Sequence, residues 1–165
     1  MLAINITGIE KLVKMANLFS KEKKKVDDAI KSEAKEFIRR VVDTARKKYL
    51  SGPGPQRLQE RSGKLKRSLR GNIKDTGKEM SAFVYSATKY ARIHEFGGIT
   101  SPHVILPKKS AVLSFMANGK RVFTKKVNHP GSIIPARPFL GPSIEDEAPM
   151  FEAKIAAILS KVGRI

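Results

Sequence analysis

The chain has 165 residues, 41% of them hydrophobic, which suits one domain with a real core and excludes a wholly disordered chain. Thirty-three lysines and arginines against 15 carboxylates give a formal charge of +18, and the absence of cysteine excludes a disulfide framework, a thiolate nucleophile and cysteine-built zinc sites. No run approaches the ~18 apolar residues of a membrane helix, and no basic-then-apolar leader pattern stands at residues 1–20, so we expect no membrane partner and synthesis in the cytoplasm.

Leu2, Ile4 and Ile6 alternate with small or polar residues, the period of a short strand. Thr7-Gly-Ile-Glu10 matches a capping box and predicts a short amphipathic helix over residues 8–19, with Ile9, Leu12, Val13 and Ala16 on one face. From 21 to 50, Val26, Ile30, Ala34, Phe37, Val41, Ala45 and Tyr49 recur every three or four residues and predict one helix roughly 40 Å long. Ser51-Gly-Pro-Gly-Pro55 ends it, since the glycines tolerate left-handed backbone and the prolines cannot continue a helix. Residues 51–73 then read as a basic flexible arm or loop, with residues 62–69 able to form a short helix once docked.

Phe83, Val84 and Tyr85 mark a strand over residues 80–87. Residues 111–116 and 121–127 flank Asn118-Gly119, the two positive-φ residues of a tight hairpin turn. Pro130, Pro135, Pro138 and Pro142 keep 128–143 extended, and apolar spacing from Ile144 to Val162 predicts a closing helix. The expected architecture is therefore a single α+β domain over 1–165. An antiparallel sheet with a β-hairpin packs against a long N-terminal helix and a C-terminal helix.

The charge is unevenly placed. Residues 57–74 carry seven basic residues and one acidic, and residues 99–139 carry seven and none, whereas residues 140–165 hold three basic and four acidic. Such an excess attracts polyanions, and Arg61, Lys64, Lys66, Arg67, Arg70 and Lys74 are the candidates for phosphate contact. No aromatic residue lies between 50 and 82, so this tract has no stacking platform. Contact to a nucleic-acid backbone fits it better than base recognition.

Motifs for chemistry fail on spacing. His94-Glu95 lacks the second histidine of a helical zinc protease, Gly63-Lys64 lacks both the upstream glycine and the Ser/Thr of a phosphate loop, and no serine sits in Gly-x-Ser-x-Gly. Glu145, Asp146 and Glu147 fall at a helix start, where they suit the dipole. We expect no enzyme, no cofactor, no metal and no small-molecule substrate.

Two further segments are more peculiar than a core requires: Tyr90-Ala-Arg-Ile-His-Glu-Phe-Gly-Gly98, and His129-Pro-Gly-Ser-Ile-Ile-Pro-Ala-Arg-Pro-Phe-Leu-Gly-Pro-Ser143. Preceded by Arg61-Ser-Gly-Lys-Leu-Lys-Arg-Ser-Leu69, they resemble the tail-completion and virion-morphogenesis proteins of tailed bacteriophages and prophages, minor tail or neck proteins among them. The resemblance implies a structural protein of the virion, acting in tail completion or head–tail joining as a homo-oligomeric ring, with other tail or neck proteins as partners. Its alternative is a basic protein contacting nucleic acid non-specifically.

The assembly candidates are Tyr90, His94, Glu95, Phe96, Gly97, Pro135, Arg137, Pro138, Phe139 and Leu140, with Asn118 and Gly119 at the hairpin turn. A competing reading places Phe96, Phe139 and Leu140 in the core, with Arg137 paired to Glu95.

Overall fold

The computed structural model describes residues 2–6, 23–51, 58, 62–76, 79–108 and 110–162. The helix expected over 8–19, the turn at 52–55 and Arg61 lie outside the described residues.

Helix α1 (Lys23–Thr44) is the spine, as its periodicity predicts. Val26, Ile30, Ala34, Phe37, Ile38, Val41 and Val42 are all buried along one side. It ends in a π turn (Ala45–Tyr49) closed by the Leu50 N–H donating to the Ala45 carbonyl at 2.9 Å. The wider turn brings Ala45 and Leu50, five positions apart, into the core together. The simple three-or-four spacing did not foresee this turn.

A three-stranded antiparallel sheet packs on α1, in the order β1 (Leu2–Ile6), β3 (Met80–Ser86), β2 (Leu69–Asp75). Central β3 has the period-2 pattern of a half-covered sheet, with Met80, Ala82, Val84 and Ser86 buried. Its register sets Val84 opposite both Ile4 and Gly71. Gly71 is where helix and sheet come closest, since a Cβ there would stand 2.0 Å from Cγ2 of Ile38.

Part of the segment expected to be a flexible arm is differently placed. Residues Lys64–Ser68 form helix α2, and β2 follows as an edge strand. Leu69 is 1% exposed, and Leu65 and Ile73 pack against the core. These few apolar residues are anchors in a basic stretch. Buried Ser86 closes the joint, its hydroxyl lying 2.7 Å from that of Ser68 and 2.8 Å from that of Thr88.

Helix α3 (Ala91–Phe96) leads into six short strands, and helix α4 (Gly141–Val162) closes the described chain. Phe151 of α4 stacks on Phe37 of α1 with ring centroids 4.5 Å apart. A polar seam runs beside this contact. Arg40 pairs with Glu33 at 2.8 Å and with Glu147 at 3.3 Å, and the Thr44 hydroxyl donates to Glu147 at 2.6 Å. Lys48 and Tyr49 both donate to Asp146 at 2.8 Å, which holds that carboxyl below its ordinary range. Pro149 lies within the continuous helix α4 on its exposed side, where the missing N–H costs least.

The α+β class is as expected. The Asn118-Gly119 hairpin, however, lies at the tip of an arm that does not join the three-stranded sheet. None of the described residues belongs to a helix long and apolar enough to cross a membrane.

Candidate assembly interface

The six strands after α3 form one nested hairpin. β4 (Gly98–Thr100) pairs with β9 (Ser132–Ile134), β5 (His103–Ile105) with β8 (Val127–His129), and β6 (Leu113–Ala117) with β7 (Lys120–Thr124). The first two ladders keep one register, which sets Pro102 opposite Pro130. Two residues without an N–H face each other there, and the ladder breaks.

Asn118 (φ 50°) and Gly119 (φ 74°) make the tip turn, as their pairing in the sequence predicts. Gly131 (φ 91°) is required near the base, where a Cβ would sit 2.1 Å from the Thr100 carbonyl oxygen. His103 and His129 stack across the ladder with centroids 5.0 Å apart. No set of three metal-ligating side chains occurs among the described residues.

The arm strands pair with one another and do not pack extensively on the helices or the larger sheet. Their apolar side chains therefore stay in solvent. The cross-strand pair Ile99 and Ile133 is 77% and 80% exposed, and at the tip Met116 and Phe123 are each 63% exposed. Exposed patches of this kind mark interaction surfaces. Sequence reasoning singled out the turn and missed these residues, although the acid-free stretch from 99 to 139 and the two opposed prolines were readable.

The two peculiar motifs meet at the root of the arm. Glu95 of α3 is 4% exposed, and its carboxylate accepts the N–H groups of Phe139 at 2.8 Å, Leu140 at 3.0 Å and Gly141 at 2.8 Å. Those donors open α4, so a residue more than forty positions upstream supplies the negative charge that its N-terminus favours. The Arg137 N–H donates to the His94 carbonyl at 2.7 Å. Pro138, between these donors, has no N–H to satisfy. Ser143 adds a hydroxyl bond to the Phe139 carbonyl at 2.5 Å.

Glycine is needed at 97, with φ 70° and a virtual Cβ 2.9 Å from the Ala136 nitrogen. Phe139 and Leu140 are wholly buried, while Phe96 is 62% exposed and so does not plug the core. Arg137 forms no ion pair among the described residues, because the backbone donors occupy Glu95. Pro135 and Pro138 are exposed, and Pro135 directly follows β9.

Tyr90 meets His94 edge-on at 5.8 Å. His94 Nδ1 is buried without a hydrogen-bond partner, and burial first, then the Arg137 charge, pushes the imidazole below its ordinary pKa.

A family model described as the phage virion morphogenesis family matches residues 19–159. The chain belongs to that family. The match covers α1, the sheet strands β2 and β3, the whole arm and most of α4, so in this family member the body and the arm form one matched unit. Neither the curated proteins nor the solved structures contain a match to the chain. Family membership makes it a protein of phage virion assembly, working with other virion proteins.

The polyanion candidates gather around α2 and β2. Lys64, Arg67, Arg70 and Lys74 are exposed and form no ion pair among the described residues. Arg67 and Arg70 donate instead to backbone carbonyls of Ser62, Arg67 and Leu69. Lys66 is turned to the Ser51 hydroxyl at 2.8 Å.

Proposed function

We propose that the protein is a non-enzymatic structural component of the tail or neck of a tailed phage or prophage, acting in tail completion or head–tail joining as a homo-oligomeric ring. The observation that carries this reading is the arm. Its base is clamped to α3 and α4 by four hydrogen bonds, three from backbone N–H groups to a buried carboxylate and one between backbone groups, while its length exposes isoleucine, methionine and phenylalanine. A two-stranded ribbon is at best marginally stable alone in water, so an arm held at the root and apolar along its length suits docking on another virion subunit.

The test is electron microscopy of particles from an induced phage or prophage in which this reading frame alone is disrupted. Unjoined heads and tails, or tails with aberrant ends, are expected. Normal infectious particles would overturn the reading.

A second reading, non-specific contact with the nucleic-acid backbone, is favoured by Lys64, Arg67, Arg70 and Lys74, which are exposed and form no ion pair among the described residues. Affinity for duplex DNA should then fall steeply between 50 and 200 mM salt, by roughly a hundredfold or more if several phosphates are neutralised. Retention unaffected by salt would reject it.

A further inference from the structure

The arm combines exposed apolar side chains with exposed cations. Between residues 98 and 134 the chain has six lysines and arginines and no carboxylate. Lys120 and Arg121, at the tip, are exposed and make no ion pair among the described residues. Ladder register puts Met116 and Arg121 opposite each other, on the same face as Ser114 and Phe123. That face sets one cation, Arg121, beside two large apolar groups, while Lys120, opposite Ala117, flanks the turn from the other face.

The complementary surface lies on α4, which carries four carboxylates against two lysines. Asp146 and Glu147 are spent on α1, but Glu145 and Glu152 are exposed and make no ion pair among the described residues. They sit seven positions apart and so share a ridge. The neighbouring ridge holds Met150, which is 52% exposed, with exposed Ala153 and Ala157. Free carboxylates thus line one edge of this apolar strip, and Lys154 and Lys161, four positions beyond Met150 and Ala157, line the other.

We propose that the arm tip of one copy docks on the outer face of α4 of a second copy. Met116 and Phe123 cover the Met150 ridge, and Arg121, on the same face, meets Glu145 and Glu152, with Lys120 at the turn adding to the positive field. This rests on the reading of the protein as a homo-oligomer and specifies its joint. The two surfaces are different patches of the same chain, so the contact is head-to-tail, and its repetition closes a ring when the rotation per subunit permits. A DNA duplex would satisfy the cations alone and leave the apolar groups wet, which is why a second copy is the better occupant.

The full-length chain offers a clean test because it has no cysteine. In the Ser114→Cys/Ala153→Cys double variant the only thiols lie on the two proposed faces. Mild oxidation of the concentrated protein should give a ladder of covalent multimers, whereas each single variant should give nothing beyond a dimer. In sedimentation, Lys120→Glu/Arg121→Glu and Glu145→Lys/Glu152→Lys should each weaken association about tenfold or more, with native circular dichroism. Mixing the two variants should restore it, since each reversed face then meets a reversed partner.

A sedimenting ring with no ladder, and indifferent to both reversals, would overturn the joint while leaving the ring. A native chain monomeric at every concentration would overturn both. Duplex DNA binding that is lost on reversal of the arm charges, again with no ladder, would assign the arm to nucleic acid and overturn the proposal.

Discussion

The body and the arm use the same kinds of residue to opposite ends. In the body, Phe37, Val41, Val84 and Ile155 are buried where α1, the three-stranded sheet and α4 converge. In the arm, Ile99, Ile133, Met116 and Phe123 are no less apolar, yet they face water because a single ribbon has no third layer to cover it. Apolar content thus reveals how much surface a protein wants covered, and topology decides whether the chain covers it alone. The root of the arm joins the two regimes. There, Glu95 ties the backbone at the start of α4 to the helix from which the arm departs.

This contrast can be broken most sharply at Glu95. Glu95→Ala leaves the buried N–H groups of Phe139, Leu140 and Gly141 without an acceptor, and should cost the body ~3 kcal/mol or more in denaturant unfolding. A loss below about 1 kcal/mol would mean that solvent replaces the carboxylate and that the clamp is weak.

A smaller, pH-dependent effect belongs to His94. Its folded pKa is depressed below the ordinary 6.5, so the unfolded chain takes up the proton first as pH falls. The stability contributed by the neutral imidazole is fully present above 6.5 and declines below it. Thermal unfolding should therefore shift down between pH 7.5 and 5.5 in the native chain and shift less in His94→Phe. Equal shifts in both would place the pH response elsewhere.

The smallest effect on stability is expected in the arm. Ile99→Ser with Ile133→Ser removes an exposed cross-strand pair, and should change body stability by no more than about 0.5 kcal/mol. A loss comparable to that at Glu95 would show the arm to be part of the folding unit, contrary to the division drawn above.

Local signals carried much of this structure. The apolar spacing of α1, the β-favouring Phe83-Val84-Tyr85 run of β3, the Asn118-Gly119 turn and the closing helix were readable because each depends on neighbours within a few residues. The π turn was not, since one extra residue in a turn leaves no periodic mark. The strand character of 69–75 was concealed by Arg70 and Lys74, which lie on the solvent side of an edge strand while Leu69, Gly71 and Ile73 face α1 and the core.

The candidate site divides in the same way. The Tyr90–Gly98 and Pro135–Leu140 segments stood out by composition, and the resemblance they carry agrees with the family to which the chain belongs. That Glu95 would accept three backbone N–H groups rather than pair with Arg137 depended on distances no sequence spacing encodes.

By itself the sequence determined the cationic excess, the absence of cysteine, the α+β class and the phage-assembly motifs, because composition and short-range pattern suffice for these. Only the tertiary structure decided that Phe139 and Leu140 are core while Phe96 is surface, and that residues 98–134 stand apart as an uncovered ribbon. The reason is physical: an apolar residue has the same sequence signature whether its own fold buries it or not, and only the arrangement of layers around it settles which.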